Sequence, residues 1–299
     1  MKKSVILFVL MLLTLSMAAQ QNPQLAEAAW VEAEKAYDAG RYEEALRHLD
    51  RTQEYAGQWL PTISHLRIVC YYKLKQNDNL AAEVRRYMDY ADSNSNSVGY
   101  DRDKYREVYD ISQMIGQPDY NEGQRLYNAK DYAGAIEWFN KATNKGHVEA
   151  MYRLGFMYEF GQGVAENNIQ AAEWYRKAID KGNYEAMYRL GVLYYEVNNY
   201  EQAFVYLNKA AEYNYMQALN SLGVMYSNGR GVTRDDAKAL ELYRKAADRG
   251  LPVAMYNVGY MYANGRGVTQ DRNEAIKWMR MSADKGYNNA KEWLSKNAR

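Results

Sequence analysis

The chain has 299 residues, 47% hydrophobic and 25% charged, with a formal net charge of +1. This is globular composition, which excludes a disordered or fibrous chain. One cysteine excludes a disulfide scaffold and a cysteine-ligated zinc or iron–sulfur site, three scattered histidines leave no histidine-based metal motif, and the near-zero charge argues against a nucleic-acid partner.

The first predicted element is a targeting segment. Lys2 and Lys3 precede a nearly unbroken apolar run from Val5 to Leu15, and Ser16-Met-Ala18 follows as a small-x-small cleavage site. Residues 1–19 read as a secretory signal peptide, too short for a permanent membrane span. No cysteine follows the run, which argues against a lipid anchor. Its removal deletes two lysines and no acid and turns the net charge to −1. The expectation is an exported protein, periplasmic or secreted and bacterial, with no stable membrane insertion after cleavage.

Residues 20–117 come next. Ala39-Gly-Arg-Tyr42-Glu-Glu-Ala45-Leu46 marks the turn of a helix pair over 26–57. Trp59 to Ala91 predicts a second pair with its turn at Gln76 to Asn79. Cys70 lies in an apolar stretch and reads as a buried small hydrophobe. Ser93-Asn-Ser-Asn-Ser97 is a polar loop, and Asp101 to Ile115 predicts one helix ended by Gly116 and Pro118, where the segment boundary is placed.

Residues 118–286 repeat. Gly155, Gly191, Gly223 and Gly259 are spaced 36, 32 and 36 residues apart, and Lys141, Lys177, Lys209 and Lys245 keep the same irregular schedule. Each unit reads as two helices. Helix A starts near Ala150, Ala186, Ala218 and Ala254 and carries A-x-x-x-L-G-x-x-Y, with Ala150, Leu154 and Tyr158 on one stripe. Its internal glycine costs about 1 kcal/mol against alanine, which close approach of a neighbouring helix would offset. Helix B carries A-x-x-W-Y-x-K-A, with N-caps at Asn167, Asn199 and Asp271 and C-caps at Gly146, Gly182, Asn214, Gly250 and Gly286. Residues 287–299, with Trp293 and Leu294, read as a helix capping the last apolar face. The predicted fold class is all-α: a right-handed α-solenoid of stacked helix-turn-helix repeats.

Segments 150–182, 218–250 and 254–286 carry the pattern L-G (V-G in the last), then Y-x-x-G-x-G-V, then a helix with aromatic residues ahead of K-A (M-S in the last), and this pattern resembles the Sel-one-like repeat. Residues 186–214 and 116–149 lack the G-x-G-V loop and look more like the related tetratricopeptide repeat, as does 26–57. The resemblance implies a non-enzymatic adaptor that binds a protein or peptide partner in cell-envelope or secretion-linked complexes.

The search for chemistry returns little. The three G-x-G triplets (Gly161, Gly163; Gly229, Gly231; Gly265, Gly267) lack the third glycine of a dinucleotide fingerprint and the lysine of a phosphate loop. They read as turns with left-handed backbone. Ser282-Ala-Asp-Lys285 matches Ser-x-x-Lys, but Ser282 occupies a repeat alanine position and the partner motifs of serine-active β-lactam enzymes are missing. No cofactor, metal or catalytic residue is expected. The alternative is a cell-envelope enzyme or small-molecule binder related to β-lactams or cell-wall peptides. The remaining signal is a surface. A helices line the concave face of tetratricopeptide-type units, and their columns hold Tyr120, Tyr152, Arg153, Phe156, Tyr188, Arg189, Tyr256 and Tyr260. Tyrosine and arginine are enriched at binding hot spots. The competing reading is that these tyrosines pack between helices.

Overall fold

The computed structural model describes residues 22–57, 59–94 and 101–298. The signal-peptide segment and Ser95 to Ser97 of the polar loop lie outside the described residues. The fold is all-α, built from helix-turn-helix repeats of the solenoid class; helix takes up 80% of the described residues, with no strand among them. The helices are α1 (Pro23–Asp38), α2 (Tyr42–Ala56), α3 (Pro61–Leu74), α4 (Asn77–Asn94), α5 (Arg102–Asn128), α6 (Tyr132–Asn144), α7 (Val148–Glu159) and α8 (Asn168–Asp180). They continue with α9 (Tyr184–Glu196), α10 (Tyr200–Glu212), α11 (Met216–Asn228), α12 (Asp236–Asp248), α13 (Pro252–Asn264), α14 (Arg272–Asp284) and α15 (Asn288–Asn297). Three of the prolines, Pro23, Pro61 and Pro252, open helices, where a missing N–H leaves no bond unmade. The chain divides into two compact units, residues 1–150 and 151–299.

In the first unit, α1, α2 and α3 bury Trp30, Leu46, Leu49 and Ile63 in one apolar cluster together with Cys70. Cys70 is fully buried, and burial pushes its thiol up to about 12, as expected for a packing residue. Ile68, Leu80, Val84 and Val108 form a second cluster among α3, α4 and α5.

The predicted stop at Gly116 and Pro118 is wrong. Helix α5 runs unbroken from Arg102 to Asn128 with Pro118 inside it. Gly116 is a contact glycine instead: a Cβ there would lie 2.7 Å from His147 Cβ. Pro118 and Met114, the residue whose carbonyl loses its helical partner, are both exposed, so water can take up the freed carbonyl.

His147 precedes α7 and is buried. Its ring stacks on Tyr120 at 4.6 Å. The Ala150 backbone N–H donates to Nδ1 at 3.3 Å, which places the ring proton on Nε2, 3.3 Å from the Gln117 amide oxygen. Burial pulls this imidazole down from 6.5 to about 4. The native state therefore binds fewer protons here than the unfolded chain. The contribution to stability is complete above pH 6.5 and is lost as pH falls from 6.5 towards 4. At pH 5 the expected loss is about 2 kcal/mol. Urea unfolding at pH 7.5 and pH 5.0 checks this: His147→Gln should shrink the pH dependence by that amount, and an unchanged dependence would clear His147 of the role.

The second unit is the regular part. Asn167, Asn199 and Asp271 cap α8, α10 and α14 through their side chains, as the sequence predicts, and Asn183 and Asp235 do the same for α9 and α12. Gly182, Gly250 and Gly286 end B helices with φ between 86° and 93°, and Asn214 takes their place at φ 57°. The A-helix glycines answer the expectation of close approach. A Cβ on Gly155 or Gly223 would sit 2.6 Å from the ring of Tyr175 or Tyr243, and on Gly191 2.8 Å from Leu207.

Candidate functional site

The A helices of the second unit are α7, α9, α11 and α13, and their glycines set the register of everything beside them. Four residues after the first glycine stands Glu159, 7% exposed. The Tyr175 hydroxyl of α8 donates to its Oε2. Arg189, on the next A helix, donates from Nε to the same oxygen at 3.0 Å and from Nη2 to Oε1. The guanidinium also lies 4.8 Å from the Phe160 ring centroid and 5.6 Å from that of Phe156. Burial pulls Arg189 down, but the hydrogen bond and charge of Glu159 outweigh it, so it titrates above its ordinary value. Burial and then Glu159 push the Tyr175 phenol up.

Three residues before Gly191 and Gly259 stand Tyr188 and Tyr256, and each meets the residue that precedes the following A helix or the final helix α15. Tyr188 meets Tyr215 edge-on at 5.3 Å, and Tyr256 meets Tyr287 at 5.4 Å. In the first unit Tyr120 stands in the same relation to His147. The tyrosine rings are half-buried: one part packs repeat against repeat and the rest faces out. Tyr215 also touches Tyr184, which stacks on the exposed Tyr213 at 5.8 Å. Burial pushes the Tyr215 phenol up, with Tyr152 the next contributor, so Tyr215 is uncharged at neutral pH.

The G-x-G loops do more than turn. All the glycines have positive φ, as expected. The second glycine of the later triplets also abuts the preceding repeat: a Cβ on Gly231 would lie 2.5 Å from the Tyr200 carbonyl oxygen, and on Gly267 2.3 Å from that of Asp236. The central arginine reaches the same place. Arg266 donates to Asp236 Oδ1 at 2.6 Å, to the Ser227 carbonyl at 2.8 Å and to its hydroxyl at 2.9 Å. Arg230 donates to the Tyr195 hydroxyl and lies over the Tyr195 and Tyr200 rings. These two loops thus clasp the repeat before them.

Of the predicted site residues, Tyr152, Phe156 and Arg189 come together: Tyr152 lies 6.4 Å from Phe156, and Arg153 lies over the Tyr152 ring at 5.7 Å. Tyr188 borders them through the tyrosine patch. Tyr256 and the exposed Tyr260 line a separate cavity with Tyr243 and Arg266. Sequence reasoning missed Glu159, Asp236 and the clasping role of Arg266. The only available signal was an arginine between two glycines with an acid one repeat back. Ser282 is fully buried and donates to the Pro252 carbonyl at 2.7 Å, a packing role that leaves no room for nucleophilic attack. No group of three or more metal-binding side chains is found among the described residues.

The Sel1 repeat model matches residues 120–147, 148–183, 185–214, 217–251 and 252–287. The chain belongs to the Sel1 repeat family. Residues 120–147 and 185–214, which look tetratricopeptide-like for want of the G-x-G-V loop, are Sel1 repeats too. Their glycines Gly123 and Gly191 pack on Phe139 and Leu207 just as Gly223 packs on Tyr243. A Sel1 repeat protein from Oxalobacter formigenes is 31% identical, with a TM-score of 0.54 over 59% of this chain and 74% of that one. A protective antigen of uropathogenic Escherichia coli with an SLR fold is 24% identical, with a TM-score of 0.55 over 89% of this chain and 62% of that one. The latter likeness is one of fold, and this chain spans less than two thirds of that protein. No curated protein matches the chain. Sel1 repeats are in general non-enzymatic protein-interaction scaffolds.

Proposed function

We propose that this Sel1 repeat chain is an exported, non-enzymatic scaffold that holds an extended peptide or a partner helix against its A-helix face. The observation that carries the reading is the column of half-exposed tyrosines at Tyr152, Tyr188 and Tyr256, flanked by exposed Phe160 and Tyr260. Rigid aromatic rings already fixed by packing lose little entropy on binding, which is what hot-spot anchors require. Arg189 serves by holding Phe156 and Phe160 in place, and Arg153 extends the set of anchors; Tyr120 is the corresponding ring of the first unit. Residues 20–117 are proposed to form a tetratricopeptide-like segment, and 287–299 a cap.

Export is inferred from the layout of residues 1–19, and no helix among the described residues is long and apolar enough to cross a membrane. N-terminal sequencing of the protein from its host should begin at Ala19 or Gln20; an intact Met1 contradicts export. For the groove, Tyr152→Ala, Tyr188→Ala and Tyr260→Ala combined should cut capture of the native partner at least tenfold with the helical spectrum kept. Undiminished capture contradicts the assignment.

A further inference from the structure

Between α11 and α13 lies a feature that the aromatic column does not explain. Asn257 Nδ2 donates to Asn220 Oδ1 at 2.9 Å, joining two side-chain amides one repeat apart. Both residues are half-buried. Among the described residues neither amide has another hydrogen-bond partner. The pair therefore keeps an amide donor on Asn220 and an amide acceptor on Asn257. Reversing both amides leaves the same complement of one donor and one acceptor. In an extended chain the N–H and C=O of one residue point to the same side, which is how one strand residue pairs with another. The asparagine pair offers the matching acceptor and donor without reading a side chain.

Asn257 also lines a cavity of about 230 Å³ with Ser227, Tyr243, Tyr256, Tyr260 and Arg266. The space is of the order of one large side chain. The charge of Arg266 is taken up by Asp236 and Ser227. The Tyr243 phenol is pushed up to about 12 by burial, against its bond to Ser227, and so stays neutral. The walls therefore present ring faces and hydroxyls with no unanswered charge, and a charged side chain entering would lose its hydration without a counter-ion. Tyr260, 41% exposed, forms the lip.

We infer that Asn220, Asn257 and this cavity form a subsite that clamps the main chain of an extended peptide and seats one uncharged aromatic side chain of it. The inference rests on the peptide-binding reading above and names what the groove selects at this position. Side-chain amides supply affinity independent of sequence, and the pocket supplies the choice of residue.

The test titrates short peptides into the isotope-labelled full chain and follows its amide resonances. The probes are acetyl-Ala-Ala-Trp-Ala-Ala-amide, its counterparts with Lys, Asp or Gly at the centre, and the Trp peptide methylated on the nitrogens of Trp and both neighbours. The Trp peptide should shift the resonances of Asn220, Asn257 and Tyr260 and bind at least tenfold more tightly than the Lys, Asp or Gly peptide. Methylation should weaken it at least tenfold, an effect that needs no change in the protein. Asn257→Leu and Tyr260→Ala should each weaken the Trp peptide by a similar factor with the melting temperature retained. Equal affinity for all centres, or for the methylated peptide, overturns the inference. Peptide binding that shifts Tyr152 and Tyr188 but not Asn220 and Asn257 overturns the subsite and leaves the groove standing, whereas no peptide binding anywhere fails both. Triacetylchitotriose shifting the same residues would make the occupant a glycan, and concentration-dependent shifts without peptide would make it a second copy. Either result overturns the inference.

Discussion

Gly267→Ala should destabilise the chain by about 2–5 kcal/mol, the sum of two independent costs. The first is conformational: φ is +66°, where a Cβ is disfavoured by about 1–2 kcal/mol. The second is steric. The new Cβ would lie 2.3 Å from the Asp236 carbonyl oxygen and 2.6 Å from the Ala237 nitrogen. These are backbone atoms of the preceding B helix and cannot rotate aside, so the loop must lift and Arg266 loses its grip on Asp236 and Ser227. Gly286→Ala is the control. Its φ is +91° and nothing lies within 4 Å of where a Cβ would stand, so only the first cost applies, about 1–2 kcal/mol. Urea denaturation of the two variants measures the difference. Equal losses would mean that the G-x-G loop is a turn and not a clasp between repeats.

Arg189→Asn should cost about 3 kcal/mol or more, because it strands the buried Glu159 carboxylate with only the Tyr175 hydroxyl for a partner. The chain itself supplies the compensating change. Two repeats on, the columns of Glu159 and Arg189 hold Ser227 and Asn257, and the Tyr243 phenol bonds Ser227 as Tyr175 bonds Glu159. Glu159→Ser with Arg189→Asn copies those two residues, without the Arg266 that also bonds Ser227, and should recover most of the loss. A double-mutant cycle in thermal or urea unfolding reads the coupling. Additive losses would show that the pair contributes nothing beyond its separate packing.

What the sequence revealed follows from what repeats. The A-helix glycines, the B-helix caps and the C-terminal glycines recur at fixed spacing, so each copy vouches for the others, and Gly223 against Tyr243 or Asn199 at the start of α10 came out as expected. Features that occur once were hidden. Gly116 and Pro118 together look like a helix stop, yet the glycine is small to admit His147 and the proline lies on the exposed side. Arg189 looked like a groove residue because nothing along the chain says that four residues after one glycine faces two residues before the next. Only one pair of those columns, Glu159 with Arg189, is oppositely charged. The Asn220–Asn257 bridge was hidden for the same reason: a contact across repeats is written in two columns at once.

The most direct measurement places a benzophenone amino acid at single positions and crosslinks in the native host. Phe160 and Tyr260 report on the A-helix face; the exposed Ile169, Val205 and Met281 report on the B helices. A scaffold that works through its A-helix groove should give one discrete partner adduct from Phe160 and Tyr260, lost when Tyr152 and Tyr188 are changed to alanine. Adducts that form only from Ile169, Val205 or Met281, and survive those substitutions, would contradict it.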